Sequence, residues 1–406
     1  MTTTTPDMLE MIAGGVTTPR GFRASGVSAG IKASGLDLAL LVSDRPATAA
    51  AVFTTNRAQA APVVISRVHL AQSGGAVRAI VVNSGCANAC TGEGGMQAAR
   101  DMASEAAVLV GCAVEQVLVA STGVIGVALP IDKIRRALPR AVHALGPHEG
   151  PTAARAIMTT DPFPKEAAAR LSIEGRDVTI GGMAKGSGMI EPTMATMLGF
   201  ITTDAEVPQP LLDRALRAAV DDTFNAITVD GECSTNDCVM IAANGASGAV
   251  VNEAGFERFS RALGSVCLRL ALGIVRGGEG ATKLITVNVT GAASPQEARK
   301  AAKAIANSLL VKTAIHGGDP NWGRLVAVAG RAGVAFDLNR VTVTIGSVVL
   351  FKEGRPHDEA APEAAAHLQN DEVVTTVDLG SGDASSTVWT CDLSAEYVRI
   401  NADYRT

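Results

Sequence analysis

Aromatic side chains are scarce in this chain of 406 residues, at 3%. Its core must therefore be built from Ala, Val, Leu and Ile. Charge is sparse too, at 18% against 47% hydrophobic residues, which excludes a disordered chain and suits a well-buried globular one. The net charge of −5 comes with no basic cluster, which argues against nucleic acid as a partner. No apolar run reaches the roughly 18–20 residues of a membrane-spanning helix, so no membrane partner is expected. The opening MTTTTPDMLEMIAGG has no basic region followed by an apolar one and does not read as a secretory signal.

Other absences narrow the chemistry. Neither Cys86–Cys90 nor Cys233–Cys238 has a His/Cys partner pair at zinc-like spacing, so we expect buried or free thiols and no metal. The odd, scattered set of seven cysteines is the usage of a reducing compartment, and we expect a cytoplasmic protein. The six histidines fall in no triad motif. His316, in AIHGGDPNWGR, is the one in a site-like loop, and we read it as structural. GEGATK at 278–283 has neither the ending nor the spacing of a P-loop.

What is present is glycine, 42 residues of it, implying many tight turns. The length favours two or more domains. Short apolar runs read as strands at 78–85 and 114–126, the second breaking at Ser121-Thr122-Gly123, and at 283–292. Helical spacing marks 96–111, 211–224 and 256–275. Ser294, Pro295 and Glu297 open a further helix, 294–310, as N-cap, first turn and capping box. Residues 341–354 alternate like a hairpin. Helices and strands are mixed throughout, which gives an α/β or α+β class. The stretches 146–153 and 353–365 read as linkers.

The segment 184–200, AKGSGMIEPTMATMLGF, sets glycines, Lys185 and Thr196 in an apolar run. It reads either as a Gly-rich loop entering a buried strand or as a self-cleavage site. A threonine hydroxyl is a weak nucleophile that needs an adjacent base. Cleavage before the threonine would supply one, because the freed α-amine titrates near 7.7–8.0. That route asks for a small preceding residue, which Ala195 is, and for a strained peptide, which Gly186, Gly188 and Glu191-Pro192 can provide.

The same segment resembles the self-cleavage site of the ornithine acetyltransferase family, the bifunctional glutamate N-acetyltransferases of arginine biosynthesis. GFRASGVSAGIK (21–32), FTTNRAQAAPV (53–63), VVNSGCANACTG (81–92), STGVIG (121–126), IMTTD (157–161), ITVDGECSTND (227–237), GGEGATK (277–283), KTAIHGGDPNWGR (312–324) and YVRINADYRT (397–406) are similar to family blocks in family order. They extend over essentially the whole chain.

The resemblance implies cleavage between Ala195 and Thr196 into an α chain, 1–195, and a β chain, 196–406. Thr196 then carries an acetyl group from N-acetylornithine or acetyl-CoA to glutamate, with acetyl-CoA a co-substrate and no bound cofactor. Thr122 and Gly123 match the family's oxyanion hole, although on pattern alone they read as well as a strand-ending turn. Lys185 matches a substrate-binding position suited to a carboxylate, and Glu279 an acidic one suited to ornithine's cationic amines. Thr160, Asn401 and Thr406 match substrate contacts, the last two at a terminus that must then be tied down. The implied fold is an αββα layered sandwich, about residues 1–284, with a smaller C-terminal α/β domain, 285–406, assembled as an α2β2 heterotetramer.

Three positions depart from the family pattern: Pro162, where a threonine often touches substrate, Gly278, often an aspartate, and Cys86, commonly an asparagine. A related aminopeptidase or amidase would share Thr196 and the oxyanion hole but would need neither Glu279 nor an ordered Asn401. A binding or structural protein with an uncleaved chain is the more distant alternative.

Overall fold

The computed structural model describes residues 9–191 and 197–403. Its first sheet is nine-stranded, built from β1 (Glu10–Ile12), β2 (Phe22–Val27), β3 (Leu38–Phe53), β4 (Ala76–Cys86), β5 (Val117–Val124), β6 (Lys165–Ile173), β7 (Arg176–Lys185), β8 (Leu198–Thr203) and β9 (Cys238–Ala243). Six helices accompany it: α1 (Ala61–Gln72), α2 (Gly92–Val110), α3 (Ile131–His143), α4 (Gly150–Ala156), α5 (Gln209–Asp222) and α6 (Glu253–Arg276). The strand order is β1-β6-β7-β8-β9-β3-β4-β5, with β2 also paired to β3.

The long strand β3 makes one hydrogen-bonded sheet behave as two. Its first part, Leu38–Ser43, pairs with β2, and its second, Thr48–Phe53, with β9. Side-chain alternation then sorts the strands into layers. Leu38, Leu40, Val117 and Val119 face one way and pack on α2 and α3 with Met102 and Leu138. Leu41, Leu118 and Ala120 face the other way and meet Met183, Phe200 and Met240 from β7, β8 and β9. The outer face of those strands, with Ile180, Ile201 and Ile241, packs on α5 and α6. The result is helix, sheet, sheet, helix, the layering expected from the resemblance. With few aromatics, close packing rests on alanine: α2 buries Ala98, Ala99, Ala103, Ala106 and Ala107.

A second, six-stranded sheet follows, ordered β13-β12-β11-β14-β10-β15. Its strands are β10 (Leu284–Ala292), β11 (Thr342–Ile345), β12 (Val348–Lys352), β13 (Arg355–Pro356), β14 (Glu372–Asp378) and β15 (Ala384–Cys391). It carries α7 (Pro295–Ala306), α8 (Leu309–His316), α9 (Trp322–Arg331) and α10 (Ala361–His367), and has its own core around Ile285, Val287, Ile305 and Leu350. The chain then enters α11 (Ala395–Asp403), which returns to the first sheet's helix α6 end near Gly280.

Four sequence expectations need correction. The helix expected at 294–310 is two: Asn307 leaves the helix to hydrogen-bond Thr228, and the Ser308 hydroxyl caps α8 through the Val311 amide. The stretch 146–153 is no linker, because Gly146 exchanges backbone hydrogen bonds with Ala24 and α4 begins at Gly150. The stretch 353–365 belongs to the second sheet, supplying β13 and the start of α10. The strand at 114–126 does not break at Thr122-Gly123. β5 runs on to Val124, and the irregularity falls on its neighbour at Gly85/Cys86.

Candidate active site

The parallel strands β4 and β5 end side by side, with Ser84 opposite Thr122 and Gly85 opposite Gly123. The backbones come so close that a Cβ on Gly123 would stand 2.4 Å from the Gly85 carbonyl carbon, and Gly123 has φ of +128°. Only glycine fits there. Asn236 fixes the edge by donating to the carbonyls of Ala87 (2.6 Å) and Ser121 (2.8 Å). Thr122 and Gly123 thus reach a cleft from a rigid strand end.

From the opposite layer, β7 ends in Lys185, paired across the ladder with Leu198 of β8. The buried Lys185 Nζ donates to Thr122 Oγ1 at 3.2 Å. Lys185 has already supplied that oxygen with a donor, so the Thr122 hydroxyl hydrogen is free to point into the cleft. Behind them Asp161 accepts from Lys165 Nζ (2.6 Å) and from the Gly186 amide (2.7 Å). Burial alone would raise the Asp161 pKa, but Lys185 and Lys165 outweigh it and hold the carboxyl at about 2. Thr160 also lines the cleft, just before Asp161.

The chain leaving β7 turns sharply. Met189 sits at φ +58°, a left-handed conformation that a side chain adopts at a cost of order 1–3 kcal/mol. Asp230 holds the turn: its Oδ2 accepts the Met189 amide at 2.7 Å and its Oδ1 the Ile190 amide at 2.8 Å. Glu191 is gripped by Lys303 Nζ of α7 at 3.5 Å and by Nδ2 of Asn307, just past that helix. Ala195 and Thr196 lie outside the described residues, as does Thr406. Met197, bonded to Thr196, and Leu198 after it line the cleft.

The far wall comes from the C-terminal part of the chain. Glu279 is buried, and its amide donates to the Ser187 carbonyl at 2.9 Å. Gly188 lets it approach, since a Cβ there would stand 2.4 Å from Glu279 Oε2. Helix α11 adds Asn401, whose Nδ2 donates to the same Oε2 at 2.8 Å. The helix is fastened by Ser394 Oγ to the Gly280 carbonyl (2.6 Å) and by Tyr397 OH to Asp230 Oδ2 (3.3 Å). Burial and the Asp230 charge push the Tyr397 hydroxyl well above its ordinary range, so it remains a donor.

The structure therefore brings Thr122, Gly123, Thr160, Lys185, Glu279 and Asn401 into one cleft, with hydroxyl, backbone amide and ammonium on one wall and carboxylate and amide on the other. Sequence reading gave no role to Asp161, Asp230, Asn236 or Tyr397. Asp161 and Asp230 stood inside quoted blocks; Asp230 precedes Gly231, a turn signal, whereas nothing local marks Asp161. Of the departing positions, Cys86 points away, its thiol donating to the Val127 carbonyl at 3.3 Å. At Gly278 a Cβ would already be tight, 3.0 Å from the Val275 carbonyl oxygen. His316 stands 2.6 Å from Asp392, which also takes the Thr282 and Lys283 amides, and is not among the cleft residues. No described helix is long and apolar enough to cross a membrane.

Comparison with known proteins gives the chain its family. Residues 23–406 match the ArgJ family. The arginine biosynthesis bifunctional protein ArgJ of Symbiobacterium thermophilum is 52% identical over 406 residues, 98% of this chain and 100% of that protein. The protein of the same name from Geobacillus kaustophilus is 46% identical, over 97% of this chain and 96% of its own. Among solved structures, the bifunctional ArgJ of Bacillus halodurans is 37% identical with a TM-score of 0.45, over 47% of this chain and 100% of that one. An ornithine acetyltransferase from Mycobacterium tuberculosis, solved with ornithine, is 42% identical with a TM-score of 0.43, over 46% of this chain and 100% of that one. The chain belongs to the ArgJ family.

Proposed function

We propose that this protein is a self-cleaving acetyltransferase of arginine biosynthesis. It moves an acetyl group from N-acetylornithine, and from acetyl-CoA as a co-substrate, to glutamate through an ester on Thr196. The observation that carries this reading is the convergence of Lys185–Thr122–Gly123 and Glu279–Asn401 on one cleft that Met197 and Leu198 border.

Self-cleavage comes first. Thr196 Oγ attacks the Ala195 carbonyl carbon, the peptide C–N bond breaks, and the Thr196 amine is freed as an ester forms. Water hydrolyses that ester and leaves fragments 1–195 and 196–406. The left-handed Met189 turn, pinned by Asp230, and Glu191, gripped by Lys303 and Asn307, constrain the approach to this bond. The new α-amine then takes the proton of Oγ as it attacks the acetyl carbonyl of N-acetylornithine.

Charge develops on the carbonyl oxygen, where the Thr122 hydroxyl and Gly123 amide donate. One such donor is worth about 2.7–4 kcal/mol. The departing ornithine nitrogen gains the proton that Oγ lost. Glutamate's amine next attacks the acetyl ester, releasing N-acetylglutamate and free Thr196. Lys185 suits a substrate carboxylate and Glu279 a cationic amine, with Asn401 orienting the Glu279 carboxylate. Thr160 and Thr406 complete the substrate contacts. Residues 1–284 form the catalytic unit and 285–406 the C-terminal domain, in a cytoplasmic α2β2 assembly.

The alternative is an aminopeptidase or amidase that gives the acyl group to water. It has no use for a Glu279 carboxylate held by Asn401, which favours the transferase. Incubation with N-acetylornithine, with and without glutamate, separates the two. Glutamate must accelerate ornithine release; release at an unchanged rate overturns the transferase reading.

A further inference from the structure

Behind the cleft lies a buried set of charges that the mechanism above leaves unused. Lys165, at the start of β6, is 3% exposed, and its ammonium donates to Asp161 Oδ1 at 2.6 Å. It is absent from the cleft lining and borders instead a groove on the other side, with Phe163 and Arg276. Asp161, buried and likewise absent from the cleft lining, lies between Lys165 and the backbone of stretches that do line it. Its Oδ1 takes the Gly186 amide (2.7 Å) and its Oδ2 the Thr159 amide (3.0 Å), so one carboxylate anchors both cleft-lining stretches, 159–160 and 185–186.

That anchoring creates an electrostatic problem. Asp161 is a carboxylate at working pH, held there by Lys185 and Lys165 against the pull of burial. A buried anion beside Lys185 cancels the positive field that a substrate carboxylate needs. In low dielectric such cancellation is strong. Lys32, half-buried, is the third ammonium within reach of Asp161; burial opposes its charge as it opposes that of Lys165, but Lys32 is shared with Asp37 and its Nζ is committed to the Met158 carbonyl (3.0 Å). Lys165 is the group that meets Asp161 directly.

We propose that Lys165 is a positioning residue: it neutralises Asp161 from behind, so that Asp161 anchors the Gly186 and Thr159 amides while Lys185 keeps its charge for a substrate carboxylate. The proposal rests on the reading of Lys185 given above. Its consequence is specific. Lys165, Asp161 and Lys185 together carry one net positive charge; Lys165→Met removes it, and adding Asp161→Asn restores it. The side-chain amide introduced by Asp161→Asn keeps one carbonyl oxygen, which can still accept the Gly186 amide, and loses the acceptor for the Thr159 amide, a loss that falls on both substrates alike.

The test measures KM on the self-cleaved enzyme with N-acetylornithine and with its carboxamide analogue, in which a neutral amide replaces the carboxylate. Lys165→Met raises KM for N-acetylornithine about tenfold or more and leaves the analogue's KM unchanged. In the double variant Lys165→Met/Asp161→Asn the ratio of the two KM values returns to within about threefold of the parent's. A double variant whose ratio is as altered as the single one's, or an equal rise for both substrates in Lys165→Met, overturns the proposal. Lys165→Met strands a buried carboxylate and can fail to fold; the double variant then decides alone, since a tenfold selective loss in it is the overturning result and the parental ratio of the two KM values the expected one. Lys185→Met separates the two readings. It must raise KM for N-acetylornithine and not for the analogue; if it does not, the role of Lys185 fails. If it does and the double variant is not restored, only the role of Lys165 fails.

Discussion

Asn401 Nδ2 donates to Glu279 Oε2 at 2.8 Å, joining the last helix of the chain to the glycine-flanked turn at 278–280. Two segments more than a hundred residues apart thus build one wall of the cleft. Asn401→Ala frees the carboxylate to rotate and removes one donor. We expect KM for N-acetylornithine to rise about three- to tenfold, with precursor cleavage unchanged on a denaturing gel. Gly188→Ala acts harder on the same group, because its Cβ would stand 2.4 Å from that oxygen.

Thr122 and Gly123 are expected to fail for different reasons. Thr122→Ala removes a donor but keeps the strand, so kcat falls about 10²–10³-fold at nearly unchanged thermal stability. Thr122→Ser retains most of the rate. Gly123→Ala forces a Cβ against the Gly85 backbone in a left-handed conformation, so both stability and activity fall. Thermal melts beside steady-state rates distinguish the two.

Asp230 ties the Met189–Ile190 turn to Tyr397. Asp230→Ala leaves two amides without their acceptor and releases the left-handed Met189. Precursor cleavage is expected to slow about tenfold or more. Time-resolved gels after rapid purification check this; parental cleavage kinetics would show that the turn is not needed for processing.

The depressed pKa of Asp161 sets a pH dependence. Its carboxylate contributes stability that is full above the ordinary value of 3.8 and is lost as pH falls through about 2. Asp161→Asn removes that contribution and leaves Lys165 unpaired, so the variant is less stable at neutral pH. The gap from the parent must narrow between about pH 4 and pH 2. Urea midpoints across that range measure it, and a constant gap would contradict the charge pairing.

Much of this is legible in the sequence itself. Ser294 and Pro295 marked a helix start correctly, because a cap is a local device: the Ser294 hydroxyl accepts the Glu297 amide at 3.3 Å. Alternation at 283–292 and 341–354 marked strands for the same local reason. The misreadings share a cause. Asn307 ends a helix because Thr228, seventy-nine residues earlier, needs its side chain. Gly146 reads as a linker until Ala24 pairs with it. The same holds for the cleft. Residues in unusual local company, such as Lys185 among glycines, stood out. Asp161, Lys165 and Asp230 act through partners that only the fold supplies, and no spacing announces them.

The central claim is that Thr196 becomes the first residue of a new chain and carries the acetyl group. Intact-mass spectrometry of the purified protein, alone and after brief exposure to N-acetylornithine, tests it most directly. The account predicts two polypeptides, 1–195 and 196–406, the second gaining one acetyl group (about 42 Da) at its N-terminal threonine, and a single inactive chain of 41.4 kDa for Thr196→Ala. A Thr196→Ala protein that still cleaves, or that still transfers acetyl to glutamate, would contradict it.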